Sequence, residues 1–350
     1  MHLGNVFCAL LSWLSAKSQR GEWVLRIEDL DPQRSREEYA LQLMDDLQWL
    51  GLPWDGEPVW QSQRGHIYEE YLRHLTEMGL TYPCHCTRAD IMATQAPHET
   101  DGRVVYKGTC RPRDIDAIGA IDAIDTITHS ATTPLPTVPL RQGDERSGGG
   151  GLTANHSPLN VHRSPLTVTP ATTRLIVPDR TIPFTDGHYG PHPLNLAEHC
   201  GDYIVRRKDG AWAYQLAVVV DDALMGITEI VRGRDLLLSS PQQIHLRELL
   251  FGERKTDSLT THHPPLTVNF FHHPLLCNAE GQRLCKRDKS MDLGYLRNKG
   301  TTSQEIIGLL AHLAGLTDTP APITPAELLP LFSWDKVPTE DIILDKQIML

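Results

Sequence analysis

Two short stretches of this chain carry residue types suited to nucleotide chemistry. The first is His2-Leu3-Gly4-Asn5, directly ahead of an apolar run. A helix beginning there presents unpaired backbone N–H groups and the positive end of its dipole, both favourable to phosphate oxygens. Gly4 leaves room for a purine ring beside the backbone, and His2 and Asn5 can donate to an α-phosphate as charge builds on it. The second stretch is GQRLCKRDKS (281–290), a basic loop whose Lys286 suits the β- and γ-phosphates while pyrophosphate leaves. Taken singly, the first reads more readily as an ordinary helix start and the second as a solvated basic loop. Their order along the chain makes each strengthen the other.

A third constellation is CHC…YKGTC. Cys84, Cys86, Tyr106 and Cys110 form C-x-C-x19-Y-x3-C. Three thiolates and one further donor suit a tetrahedral structural zinc ion, against the simpler reading of three free thiols. Spacing alone points to His85 or His98 as the fourth ligand. A fourth group consists of polar side chains in or near otherwise apolar segments: Arg26 and Glu28, Tyr214, and Arg232. Ligands of open α/β sheets bind at the carboxyl ends of the strands. A carboxylate for an ammonium group and a guanidinium for a carboxylate would together suit an acidic amino acid, and structural ion pairing is the competing reading.

The elements that must position these residues follow from periodicity. Residues 5–19 read as a helix and WVLRIEDLD (23–31) as a strand. Ser35 and Glu38 match a capping box before a helix that Gly51 closes, and a second helix runs from about Gln63 to Met78, closed by Gly79. With a strand restored ahead of residue 2, this order is a βαβ unit, hence a parallel α/β sheet. Residues 114–171, rich in Thr, Ser, Pro and Gly and containing SGGGG, read as a disordered surface insertion. Beyond it, LAVVVDD (216–222) reads as a strand buried on both faces and ITEIVRG (227–233) as another. A helix at 240–251, two strands around the AEG turn (279–281) and a helix at 303–314 complete the pattern. The expected organisation is 1–80 as the first half of a nucleotide-binding domain, 81–200 as a zinc-containing insertion, 201–297 as the second half with the ATP loop, and 298–350 as a short extension.

Composition bounds the function classes. Forty-four acidic against 33 basic side chains give a net charge of −11, which disfavours non-specific coating of nucleic acid but permits a local basic patch such as Arg206, Arg207 and Lys208. Seven cysteines, an odd number with two of them one residue apart, suggest a reduced cytoplasmic protein, not a disulfide framework. VFCALLSWLSAKS has the length of a signal-peptide core, yet no Lys or Arg precedes it while Lys17 and Arg20 follow it. No run approaches the ~20 apolar residues of a membrane span.

The segments RIEDLDPQRS, GLPWDGEPVWQSQR, YPCHCTR, YKGTCR, NLAEHCGDYIVRRKDGAWAYQLAVVVDDALMGITEIVRGRDLLLSSPQQIHL and RLCKRD resemble the glutamyl-Q tRNA(Asp) synthetases, short paralogues of the catalytic half of glutamyl-tRNA synthetase in class I. The resemblance spans about residues 2–113 and 173–290. It implies a Rossmann-like parallel sheet with a zinc-containing insertion and no anticodon-binding domain. The implied ligase activates glutamate with ATP, accompanied by Mg2+, without tRNA, then transfers it to queuosine in the anticodon of tRNA(Asp), acting as a monomer. By matching positions, Glu28, Tyr214 and Arg232 hold glutamate. His2, Gly4, Asn5 and Lys286 contact ATP, with His2, Asn5 and Lys286 as the catalytic set and Cys285 where the second motif usually has Ser. The resemblance also selects Tyr106 as the fourth zinc ligand, with Cys84, Cys86 and Cys110.

Two departures accompany it. The family's opening strand and its R-F-A-P-S-P-x-G loop, which brings an Arg and a Ser to glutamate, are missing ahead of His2. The expectation is that Met1 is a misassigned start, or else that the glutamate pocket is damaged and a sheet edge exposed. The 114–171 insertion has no functional reading. Two other readings stand beside the ligase: a non-catalytic, zinc-stabilised remnant that binds tRNA or nothing, and a fragment of a true glutamyl-tRNA synthetase. The short stretch after Lys286 disfavours the latter.

Overall fold

The computed structural model describes residues 1–31, 33–93, 105–112, 170–252, 267–284 and 291–344. Residues 114–169 of the predicted 114–171 insertion therefore lie outside the described residues. Among the described residues, no helix is long and apolar enough to cross a membrane.

The first helix, α1 (Leu3–Ser18), is the inner wall of the larger core. Val6, Phe7, Leu10, Leu11 and Leu14 are fully buried in it, each contributing roughly 1.5–3 kcal/mol. The segment from Trp23 extends to β1 (Arg26–Ile27), which pairs in parallel with β2 (Val59–Trp60). Only two residues of the predicted 23–31 strand make strand pairing, although Asp55 N donates to Trp23 O and Val59 N to Leu25 O along the same edge.

Between them lies α2 (Glu37–Trp49). The predicted Ser35–Glu38 capping box does not form. The Asp31 carbonyl accepts from both Arg34 N and Ser35 N, and this turn keeps Ser35 outside the helix. Arg36 takes the N-cap position without a side-chain cap, and Glu37 and Glu38 instead face the dipole's positive end. Gly51, at φ +77°, ends the helix as expected. Helix α3 (Gly65–Glu77) follows, closed by Gly79 at φ +73°.

A second core gathers around α3. Strands β3 (Thr81–Cys84), β4 (Thr172–Leu175) and β5 (Tyr203–Arg206) form an antiparallel sheet over it. The predicted strand at 216–222 is a helix, α4 (Tyr214–Leu224). Every residue from Leu216 to Ala223 is buried, because α4 is enclosed by α3, β5 and the next helix. A helix covered all round is apolar all round, and a short run of that kind carries no periodicity to separate it from a buried strand.

The chain then makes a parallel pair: β6 (Glu229–Gly233), helix α5 (Ser240–Phe251), and β7 (Asn269–His273) in register from Glu229↔Asn269 to Gly233↔His273. Helix α1 packs directly on β6. No described strand links the β1–β2 pair to the β6–β7 pair. The predicted turn at 279–281 is present: Gly281 N donates to Asn278 O, and Leu284 N pairs with Leu276 O. Helix α6 (Ser303–Leu313) has a Thr302–Glu305 capping box, and β9 (Ile342–Ile343) adds in parallel to β8 (Leu276–Cys277).

Candidate active site and cysteine cluster

The His2-Leu3-Gly4-Asn5 turn opens α1. His2 Nδ1 accepts from Asn5 N at 3.3 Å, and Asn5 Oδ1 accepts from His2 N at 3.3 Å, so each side chain caps the other's backbone. Gly4 lies under the imidazole, where an added Cβ would sit 3.0 Å from the His2 ring. Lys286 and Cys285 lie outside the described residues, but both flanks of their segment are described. Leu284 ends the preceding turn, and at the far flank Asp292 bridges to His2 while Leu293 N donates to Met1 O at 2.7 Å. The described residues on either side, Leu284 and Met291, thus pack in or against the core that α1 lines, and Asp292 and Leu293 meet the residues that open α1.

The amino-acid side of the site forms at the ends of β1 and β6 and the start of α4. Arg26 donates to Asp222 at 2.6 Å and to Glu28 at 3.1 Å. Tyr214, the first residue of α4, interacts electrostatically with Glu28, Arg26, Asp222 and Arg232. Burial raises its hydroxyl pKa. Glu28 and Arg232 thus both interact electrostatically with Tyr214, and Arg232 also hydrogen-bonds to it.

The two arginines differ in a way that decides their availability. Burial works to lower the pKa of Arg26, but Asp222 and Glu28 outweigh it and raise it. Arg232 is 8% exposed, and burial lowers its pKa. Its direct partners are all neutral: His272 Nε2 at 3.0 Å, Gln243 Oε1 at 2.7 Å, Ser240 Oγ at 2.8 Å, Leu236 O at 3.4 Å, and the Tyr214 side chain. A buried cation whose direct partners are all neutral is costly until an anion arrives. Its chemistry fits a ligand carboxylate.

Sequence reasoning missed Asp222, Gln243, Ser240, Asp186 and His272. The available signals were the two acids ending an apolar run (VVVDD) and a histidine pair inside an aromatic strand (NFFHHP). The candidate phosphate contacts at 206–208 are ion-paired in part: Arg206 with Glu69 at 2.6 Å, and Arg207 with Asp31 and Asp209. Exposed pairs of this kind are weak and exchange readily for phosphate.

The cysteine cluster lies at the end of β3. The Sγ atoms of Cys84, Cys86 and Cys110 lie within 4.8 Å of one another. The Tyr106 hydroxyl sits 3.4 Å from Cys84 Sγ and 3.8 Å from Cys86 Sγ, and Cys86 and Cys110 Sγ are 3.5 Å apart. Zn–S bonds of about 2.3 Å at tetrahedral angles set sulfur–sulfur edges of roughly 3.8 Å, so one ion fits among these four atoms with small adjustments. Tyr106 thus joins the thiols where spacing alone points to a histidine; His98 lies outside the described residues. Burial raises Cys86 to about 11 and also raises Tyr106. Burial likewise opposes ionisation of Cys110, but hydrogen bonding from the His85 backbone, Cys86 and Tyr106 draws it down to about 7. The surroundings are built: the Arg174 guanidinium lies 3.7 Å over the Tyr106 ring, and Gly201 (φ +62°) packs so closely that a Cβ would fall 2.1 Å from the Tyr106 carbonyl.

The family model for tRNA synthetases class I (E and Q), catalytic domain, matches residues 1–115 and 160–321. A glutamyl-Q tRNA(Asp) synthetase of Nitratidesulfovibrio vulgaris is 36% identical over 358 residues, covering 100% of this chain and 93% of that one. One from Symbiobacterium thermophilum is 38% identical over 352 residues, covering 98% and 91%. Among solved structures, a glutamate tRNA ligase from Elizabethkingia meningosepticum, in complex with its amino acid, aligns with a TM-score of 0.67 at 22% identity. That alignment covers 99% of this chain but 65% of the ligase, so the chain spans just under two thirds of that protein.

Proposed function

Because the chain belongs to the class I tRNA synthetases of the glutamate and glutamine group, alongside the glutamyl-Q tRNA(Asp) synthetases, and is an ATP-dependent ligase, we propose that it activates glutamate without tRNA and transfers it to queuosine in the anticodon of tRNA(Asp). In the first step a glutamate α-carboxylate oxygen attacks the α-phosphorus of ATP. The bond to the β-phosphate breaks, giving glutamyl-adenylate and pyrophosphate. In the second step a hydroxyl of the queuosine cyclopentene-diol attacks the acyl carbon, an ester forms and AMP leaves.

The observation that carries this reading is Arg232, a buried guanidinium with only neutral direct partners, facing Tyr214. The α-carboxylate must be free to react, so the fixed clamp belongs on the side-chain carboxylate. Glu28, on the more open side, takes the α-ammonium. His2 and Asn5 stabilise charge developing at the α-phosphate, which requires their mutual cap to loosen when ATP binds. Lys286 holds the departing pyrophosphate with its Mg2+. Positioning and electrostatics carry the acceleration, with no covalent enzyme intermediate. Cys84, Cys86, Tyr106 and Cys110 would hold one zinc ion, which stabilises the β3 insertion and takes no part in the reaction.

The test is to incubate the protein with ATP, labelled glutamate and queuosine-bearing tRNA(Asp), then map the label by nuclease digestion. Periodate sensitivity would not discriminate, since it destroys both the 3′ diol and the queuosine diol. Label on the anticodon fragment supports the proposal. Label on the 3′ adenosine would favour a glutamyl-tRNA synthetase.

A further inference from the structure

Behind Arg232 lies a buried polar chain that none of the assigned motifs uses. Asp186 and His272 are 2% and 0% exposed. Asp186 Oδ2 lies 2.6 Å from His272 Nδ1, and His272 Nε2 lies 3.0 Å from Arg232 Nε. A guanidinium can only donate, so His272 Nε2 must accept, and the ring is neutral with its proton on Nδ1, donated to Asp186. Burial lowers the His272 pKa, consistent with a neutral ring. Asp186 is itself pinned: its Oδ1 accepts from His188 N at 3.0 Å and Tyr189 N at 2.9 Å. Phe270 stacks on the His272 ring and also lies under the Arg232 guanidinium.

The arrangement has a chemical consequence. Gln243, Ser240, Leu236 and His272 accept from the guanidinium, Tyr214 also hydrogen-bonds to it, and none of these five partners is anionic. Had Asp186 touched Arg232 directly, it would neutralise the cation and compete with a ligand carboxylate. With the imidazole interposed, the carboxylate fixes the guanidinium's plane yet leaves its charge without a direct anionic partner. We infer that Asp186 and His272 are positioning residues that orient Arg232 toward the substrate's side-chain carboxylate and so set the preference for an acidic over a neutral amino acid. This rests on the reading of Arg232 as the partner of that carboxylate.

The test is amino-acid-dependent ATP–pyrophosphate exchange by the full chain, with glutamate and glutamine compared, for His272→Asn, His272→Gln, Asp186→Asn and Arg232→Lys. Asn at 272 keeps a donor near Nδ1 and removes the acceptor near Nε2, whereas Gln can restore that acceptor. His272→Asn and Asp186→Asn should raise the glutamate KM about tenfold or more, the cost of a hydrogen bond to a charged group, and should lower glutamate-over-glutamine selectivity while the ATP KM stays within about twofold. His272→Gln should recover part of the glutamate KM. If one variant fails to fold, the other two still measure the same link. Equal rises in the glutamate and ATP KM values, or a lower melting temperature with unchanged selectivity, would overturn the inference and leave the chain as core structure. If Arg232→Lys leaves the glutamate KM unchanged, the reading of Arg232 itself fails. If Arg232→Lys raises it and the other variants do not, only the positioning inference fails.

Discussion

At the residue scale, the two arginines of the site have separate tasks that their partners define. Arg26 is held by Asp222 and Glu28, so it orients a carboxylate and is not itself a ligand clamp. Arg232 has no carboxylate in direct contact among the described residues. Replacing Glu28 with Gln removes the negative group offered to an ammonium. The glutamate KM should rise ten- to a hundredfold, matching about 1.5–3 kcal/mol for a hydrogen bond between charged groups, with protein stability little changed because Glu28 is half-exposed. Steady-state exchange kinetics and a melting curve check both halves. In the cysteine cluster, Cys110→Ser should abolish bound zinc as measured by elemental analysis and lower the melting temperature. Tyr106→Phe should keep three thiolates and bind zinc more weakly, because only one of the four donors is lost.

At the element scale, helix ends were legible where a local signal is strong. Gly51 and Gly79 end α2 and α3 in the left-handed conformation that their sequence positions suggest, and Thr302 caps α6 through Glu305. Thr302→Ala should cost about 1 kcal/mol, readable by chemical denaturation. Gly201→Ala places a Cβ against the Tyr106 carbonyl at positive φ, and should cost more than the cap and weaken zinc binding together with stability. The buried run at 216–222 was misread as a strand because burial on every side erases the polar face that betrays a helix. Its two terminal acids held the missing clue. Asp221 accepts from Gln61, Arg64 and Tyr68, and Asp222 accepts from Arg26, which places both acids inside the protein and not in a surface turn. Asp186 and His272 were illegible for a related reason. They are 86 residues apart in sequence, and only the fold brings the two-residue strand Thr185–Asp186 beside β7.

At the scale of the whole molecule, the site spans the seam between the two cores. Arg26 belongs to β1 on the first, Asp222 to α4 on the second, and the Arg26–Asp222 ion pair crosses between them. Buried histidines link this architecture to pH. Burial lowers His245 to about 3 and His273 to about 4, against 6.5 for the free side chain. Below about pH 6.5 the unfolded chain takes up protons that the folded chain refuses, so stability is intact above that value and is lost as pH falls toward 4. Melting temperatures should therefore decline steadily from pH 7 to pH 4.5, and His245→Leu should flatten part of that slope.

The measurement that bears most directly on the central claim is glutamate-dependent ATP–pyrophosphate exchange by the zinc-loaded protein with no tRNA present. The electrostatic grouping of Glu28 and Arg232 around Tyr214 predicts exchange with glutamate and far less with glutamine. A folded, zinc-loaded protein that exchanges with neither amino acid would contradict the account and favour a non-catalytic module.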